Sequence, residues 1–253
     1  MVRTLWTLAM VMALAAGCSD DESVPPTPID ARIVDAAIDA PVDAAIDAPL
    51  TGCAADGLLT LTGEYIDWDS TIAAFDGVEN ARWTVVSPAG GRVANGAPNG
   101  RIILCIDPTA TSQIDLIQTA PGEYLPGRFV ADPAVFAPAG ATFSIRGLKT
   151  AMTAAQFTEF GVTYDASAAQ VLVYKLGAPV PLALAPATTP AQRSFVSDGD
   201  DDVTWTEGTT GTLTLFPNRP VGGGTATLTS TSTFIGPTTL PLAAGRVTFV
   251  VVR

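Results

Sequence analysis

Hydrophobic and polar positions divide the chain into three stretches. An apolar run fills residues 5–16, a polar stretch rich in Asp, Ala and Pro fills 19–52, and from 53 onward short apolar runs alternate with turn formers. In that last stretch apolar residues either alternate with Thr, Arg and Gln or come in unbroken groups of a few, bounded by Gly, Pro, Asn and Asp. A period of two marks a strand with one buried face, and those boundary residues supply the φ values that turns need. The pattern predicts strands at 58–62, 81–86, 101–106, 113–118, 142–146, 170–175, 211–216, 225–230 and 246–253, rich in Val, Thr, Ile and Leu. Trp83 falls inside the second and is expected in the core. Helical spacing occurs at 150–160, ending at Gly161, a residue suited to a C-cap. The expected fold class is therefore all-β. Two tandem small sandwiches of transthyretin- or immunoglobulin-like kind, at 53–150 and 165–253, are joined by a linker at 151–164 that holds the short helix.

The leading segment reads as an address. Arg3 precedes the apolar run, and Leu14-Ala15-Ala16-Gly17-Cys18 closes it. A basic start, about a dozen apolar residues and a small-residue exit describe an export signal, and the run falls short of the roughly 20 residues that span a bilayer. The closing five residues resemble the lipobox of bacterial lipoproteins. That resemblance implies cleavage after residue 17, acylation of Cys18 and, with Ser19 rather than Asp next, placement in the outer membrane. Several acyl chains, at roughly 0.8 kcal/mol per buried CH₂, anchor a protein without a transmembrane helix. The competing reading is an ordinary cleavable signal followed by a stray cysteine.

Between Cys18 and the first predicted strand, the octad VDAAIDAP occurs at 34–41 and again at 42–49. Asp35, Asp39, Asp43 and Asp47 would share a helix face, where like charges repel, and Pro41 and Pro49 stop any longer helix. Residues 18–52 are therefore expected as a disordered tether, reaching on the order of 100 Å if polyproline-like.

Charge and missing residue types narrow the function. The net charge is −12, from 13 Lys+Arg against 25 Asp+Glu, and eight of the acids lie in the tether. No basic stretch exists to meet phosphates, which argues against a nucleic-acid partner. With no histidine in 253 residues, Ser-His-Asp and Cys-His triads and His-ligated zinc are excluded. If Cys18 carries lipid, Cys53 and Cys105 are left as a pair. An oxidising compartment favours their disulfide, and the alternative is two free thiols with no histidine to activate them.

Two acidic clusters are candidate sites. Asp198, Asp200 and Asp202 have the alternating spacing of a calcium loop, but Val203 and Thr209 stand where such a loop needs Gly and Glu. A solvated turn is the plainer reading, so no metal or other cofactor is expected. Glu64, Asp67 and Asp69 flank Tyr65 and Trp68. Carboxylates beside aromatics can bind sugars or, as a separated pair, hydrolyse glycosides. Gly222-Gly223-Gly224 has no following Lys-Ser/Thr and reads as a turn.

The order of elements in each half resembles the carboxypeptidase regulatory-like (transthyretin-like) modules of bacterial surface proteins. Ala81-Arg82-Trp83-Thr84-Val85 resembles their first strand, and Asn99-Gly100-Arg101-Ile102-Ile103-Leu104-Cys105 and Thr209-Thr210-Gly211-Thr212-Leu213-Thr214-Leu215-Phe216 resemble their turn and second strand. Enzymes on that fold rely on histidines, so the resemblance implies a folding, spacing or binding module. The expectation is a non-enzymatic, lipid-anchored cell-envelope protein with a structural or interaction role. Its partners would be the membrane, through the anchor, and a glycan or another protein. The alternative is a carbohydrate- or peptide-binding module serving a partner enzyme, with no catalytic residue in either case.

Overall fold

Alternation becomes pleat wherever the sequence carries it. The computed structural model describes residues 53–70, 76–88, 92–137, 141–187, 193–197 and 205–253. After a 3₁₀ turn at Ala54–Asp56, the strands of the first half are β1 (Leu59–Asp67), β2 (Ala81–Ser87), β3 (Val93–Asn95), β4 (Arg101–Ile106), β5 (Ser112–Gln118), β6 (Gly127–Ala131) and β7 (Thr142–Gly147). Those of the second half are β8 (Ala169–Lys175), β9 (Ala183–Ala185), β10 (Phe195–Ser197), β11 (Thr206–Glu207), β12 (Leu213–Arg219), β13 (Thr225–Thr229), β14 (Thr239–Pro241) and β15 (Val247–Val252). Two short helices, α1 (Pro133–Phe136) and α2 (Thr153–Glu159), complete the elements. All nine predicted strands are present. The predicted helix is α2, and Gly161 ends it at φ 63°, with its N–H on the Thr158 carbonyl.

The strands build three sheets, and the fold is an all-β sandwich. A central nine-stranded sheet runs β11-β10-β12-β8-β15-β6-β5-β2-β3, and two three-stranded sheets, β4-β1-β7 and β14-β13-β9, cover it. Registers decide which face each cover meets. Phe129 of β6 lies opposite Phe249 of β15, which lies opposite Leu172 of β8. These three belong to one core with Leu61, Tyr65, Leu104 and Phe143 of the first cover. The alternate residues Val250, Val171 and Val173 belong to a second core with Leu184, Ala226, Leu228 and Leu240 of the other cover. Successive residues of a strand point to opposite faces, so β8 and β15 are buried on both. Their sequences accordingly read as continuous apolar runs rather than alternations.

The stretches 53–150 and 165–253, expected as tandem sandwiches, each supply their own cover but share the middle sheet. The parallel pairing of β6 with β15 joins them. All described residues belong to one compact unit.

An aromatic spine fills the first core. Phe129 stacks on Phe143 at 4.8 Å between centroids, and Trp83 meets Tyr65 and Phe129 edge to face. Trp83 is fully buried, as its place in the pattern predicts. Gly63 makes room for the spine: a Cβ there would stand 2.4 Å from the Phe143 ring. Gly100 is a tight turn. It adopts φ +75°, and a Cβ would lie 2.2 Å from the Tyr65 carbonyl oxygen. Backbone cannot move aside as a side chain can, and an L residue at that φ is strained. Gly100→Ala is therefore expected to cost about 2–4 kcal/mol and to lower the melting temperature accordingly. Thermal denaturation measures this, and an unshifted midpoint would contradict the close approach.

Candidate functional site

Strand pairing delivers a buried polar cluster to one end of the first sandwich. Along β1 the alternation turns Glu64 to the outer face, where it lies between Arg101 of β4 and Ser144 of β7 and accepts from the Ser144 hydroxyl at 3.4 Å. Tyr65 and Asp67 are buried. At the end of β1 the Asp67 carboxylate meets Lys149 Nζ at 2.5 Å and accepts from the Tyr124 hydroxyl and, at 3.1 Å, from the Asp69 N–H. An isolated bridge between Tyr124 and Lys149 places both partners side by side, with Lys149 Nζ also 5.6 Å from the Tyr124 ring centre.

Burial pushes the Asp67 carboxyl up, but the hydrogen bonds from Lys149, Tyr124 and Asp69 outweigh it and hold it below its ordinary value. Its bond to Asp67 is also the main cause that lifts the Lys149 ammonium. Burial first, then the bond to Asp67, raises the Tyr124 phenol. Asp69 is exposed and raised, chiefly by desolvation and then by the nearby Asp67 charge. Arg146 closes the cluster from the side. It is buried on β7 and donates from Nη1 to the Trp68 and Ser70 carbonyls at 2.9 and 2.6 Å.

This arrangement fixes structure. Asp67 is held in its ionised form, with Oδ2 on Lys149 and the Tyr124 hydroxyl and Oδ1 on the Asp69 N–H. Glu64 faces the opposite side of the sheet. Glu64, Asp67 and Asp69, singled out as a candidate carboxylate cluster, are therefore split. Glu64 and Asp67 lie within β1, and strand alternation separates them. The aromatics are likewise structural. Trp68 is 4% exposed, stacks on Trp205 at 4.9 Å and 9°, and belongs with Phe160 to the core.

The chain has only two lysines. Their scarcity was the available signal for Lys149, whose pairing the strand pattern missed. The other, Lys175 on β8, is 2% exposed and donates to Thr214 Oγ1 at 2.9 Å. Burial pushes its ammonium down to about 8.

Cys53 and Cys105 form the expected disulfide, with 5.2 Å between their Cα atoms. Cys18, the apolar run, the octad repeats and the Asp198, Asp200, Asp202 cluster lie outside the described residues. Among the described residues no group of three or more His, Cys, Asp and Glu side chains could hold a metal ion. No helix among them is long and apolar enough to cross a membrane.

No protein-family model matches the chain, and no curated protein sequence does. Among solved structures, the chain is similar to the Bacillus anthracis TIE protein at 10% identity and a TM-score of 0.27, covering 77% of this chain and 34% of that one. It is also similar to a streptococcal ancillary pilin at 9% identity and a TM-score of 0.22, covering 77% of this chain and 62% of that one. The chain thus spans less than two thirds of either.

Proposed function

We propose that this is a non-enzymatic cell-envelope protein, acylated at Cys18, whose residues 18–52 hold a β-sandwich head away from an outer membrane. The Cys53–Cys105 disulfide carries the reading. A bridge that ties the turn before β1 to β4 fits an oxidising compartment, and Cys18 stands outside that pair. The likeness of 14–18 to a lipobox supports the anchor, and the likeness of 81–85 and 209–216 to carboxypeptidase regulatory-like modules supports a spacing or interaction role. The engaged state of Asp67 supports the absence of carboxylate catalysis.

The anchor is tested by Cys18→Ala in cells. The substitution is expected to move the protein from the membrane pellet to the soluble fraction, with the head still disulfide-bonded. Unchanged fractionation would remove the anchor from this proposal.

A further inference from the structure

We infer that β4 is a docking edge for a second copy of this chain, joined antiparallel about a two-fold axis through Leu104. β4 is paired on one side only, with β1. Gly100 O accepts from the Tyr65 N–H, whereas Arg101 O accepts from the Ala97 N–H on the far side. Backbone groups alternate in direction along a strand, so residues 102, 104 and 106 face β1, and 101, 103 and 105 face outward. Arg101 is already served, its N–H by Asn99 Oδ1 at 3.2 Å and its carbonyl by Ala97. β1 is the one strand that pairs with β4, so among the described residues no neighbouring strand takes the N–H and C=O of Ile103 and of Cys105.

Other sheet edges are blunted in the ways that prevent strand addition. β3, β9 and β14 are three residues long, β11 is two, and β14 contains Pro241. β7 carries the buried charge of Arg146. β4 has six residues, no proline and no inward charge, and Ile103 is 59% exposed. Ile103 and Arg101 also line an open cleft of about 440 Å³ with Thr62 and Asn95.

The sequence of this edge matches itself. Four unpaired groups on each strand can all bond when Ile103 of one copy lies opposite Cys105 of the other, and the reverse. That register sets Leu104 against Leu104. It also brings the Asp107 side chain, whose carboxylate accepts from the Thr109 N–H and hydroxyl, toward the Arg101 side chain, twice by symmetry. Sliding by two residues toward Ile103 against Ile103 leaves the Cys105 groups facing the already engaged Arg101 backbone, and draws Asp107 away from Arg101. With Leu104 against Leu104, the two Ile103 side chains lie on the diagonal, within reach of each other. The product is a continuous six-stranded sheet, β7-β1-β4 followed by its symmetry mate. One strand pair is smaller than the interfaces of about 1,200 Å² and more that make stable complexes, so the dimer is a concentration-dependent one.

The test combines sedimentation velocity and amide exchange on the full chain across a wide concentration range. The native chain is expected to shift from monomer to dimer, with the Ile103 and Cys105 amides becoming protected as it does. Arg101→Asp, which sets Asp against Asp107, is expected to weaken the dimer about tenfold or more, and the double variant Arg101→Asp/Asp107→Arg to restore it. Ile103→Pro removes an outward N–H, leaves the β1 ladder intact, and is expected to abolish pairing. Melting curves of each variant establish that the head is folded. A chain that stays monomeric at every concentration overturns the inference, as does a dimer indifferent to the charge reversal. Protection of both amides that does not vary with concentration means that the edge is covered from within one chain or by a co-purified polypeptide, and overturns it too.

Discussion

Removal of the Cys53–Cys105 bridge is expected to cost about 4 kcal/mol and to lower the melting temperature by roughly 10 °C. The bond spans 52 residues, and closing a loop of that length removes much freedom from the unfolded chain. Locally, the Cys53 carbonyl accepts from the Asp56 and Leu58 N–H groups at 3.2 and 2.8 Å. The disulfide thus ties the turn that starts β1 onto β4, the neighbour of β1. Without it that turn has little else to hold it, because Ala54 to Gly57 are all exposed. The comparison is between native protein and Cys53→Ser/Cys105→Ser in calorimetry, with thiol titration of the folded native chain. Equal midpoints, or both head thiols free, would contradict the account.

The second large effect concerns Lys149. Replacing it with Met strips the buried Asp67 of its counter-ion, and breaking such a pair from one side costs about 3 kcal/mol. The pH dependence carries the sharper signature. Asp67 is held below its ordinary value in the fold, so its contribution is complete above the unfolded carboxyl pKa of about 4 and is lost as pH falls through the folded value. Lys149 is raised, so its share is complete below about 10.4 and is lost as pH rises through the folded value. In Lys149→Met, burial acts on Asp67 with less to oppose it. The folded pKa then climbs, and acid stabilises the variant relative to the native chain. Melting temperatures taken from pH 7 down to pH 3 should therefore converge. A gap that stays constant over that range would show that the ion pair does not govern Asp67.

Most of the strands were legible because their cause is local. Arg101 to Ile106 is a short apolar run behind Asn99-Gly100, and the strand occupies those six residues. β6 was not legible. It is five residues long, begins with Gly127 and follows Pro126, which reads as a turn. What makes it a strand is distant: Gly127 offers no Cβ to the Phe249 ring, 2.4 Å from where one would stand, so β15 can lie alongside. β9, β10 and β14 are too short to show a period and exist because a partner strand supplies their bonds. The shared middle sheet was hidden for the same reason, since nothing in residues 127–130 names residues 247–250 as neighbours.

The polar cluster divides along the same line. Asp67 stood out beside Trp68 and Asp69, but its role depends on Tyr124 and Lys149, which long-range pairing brings to it. Alternation along β1 already implied that Glu64 and Asp67 face opposite ways. That was readable only once Gly63 was understood as a mid-strand residue lying under a ring rather than as a stop.

The position of β15 governs how the molecule is assembled in time. As the chain is made, β6 and β8 both appear before the segment that must slot between them. Until Val247 to Val252 arrive, each half keeps an open flank and neither hydrophobic layer is sealed. Acquisition of the native state is therefore a late, all-together event, and the interval before it is when the most apolar surface stands uncovered.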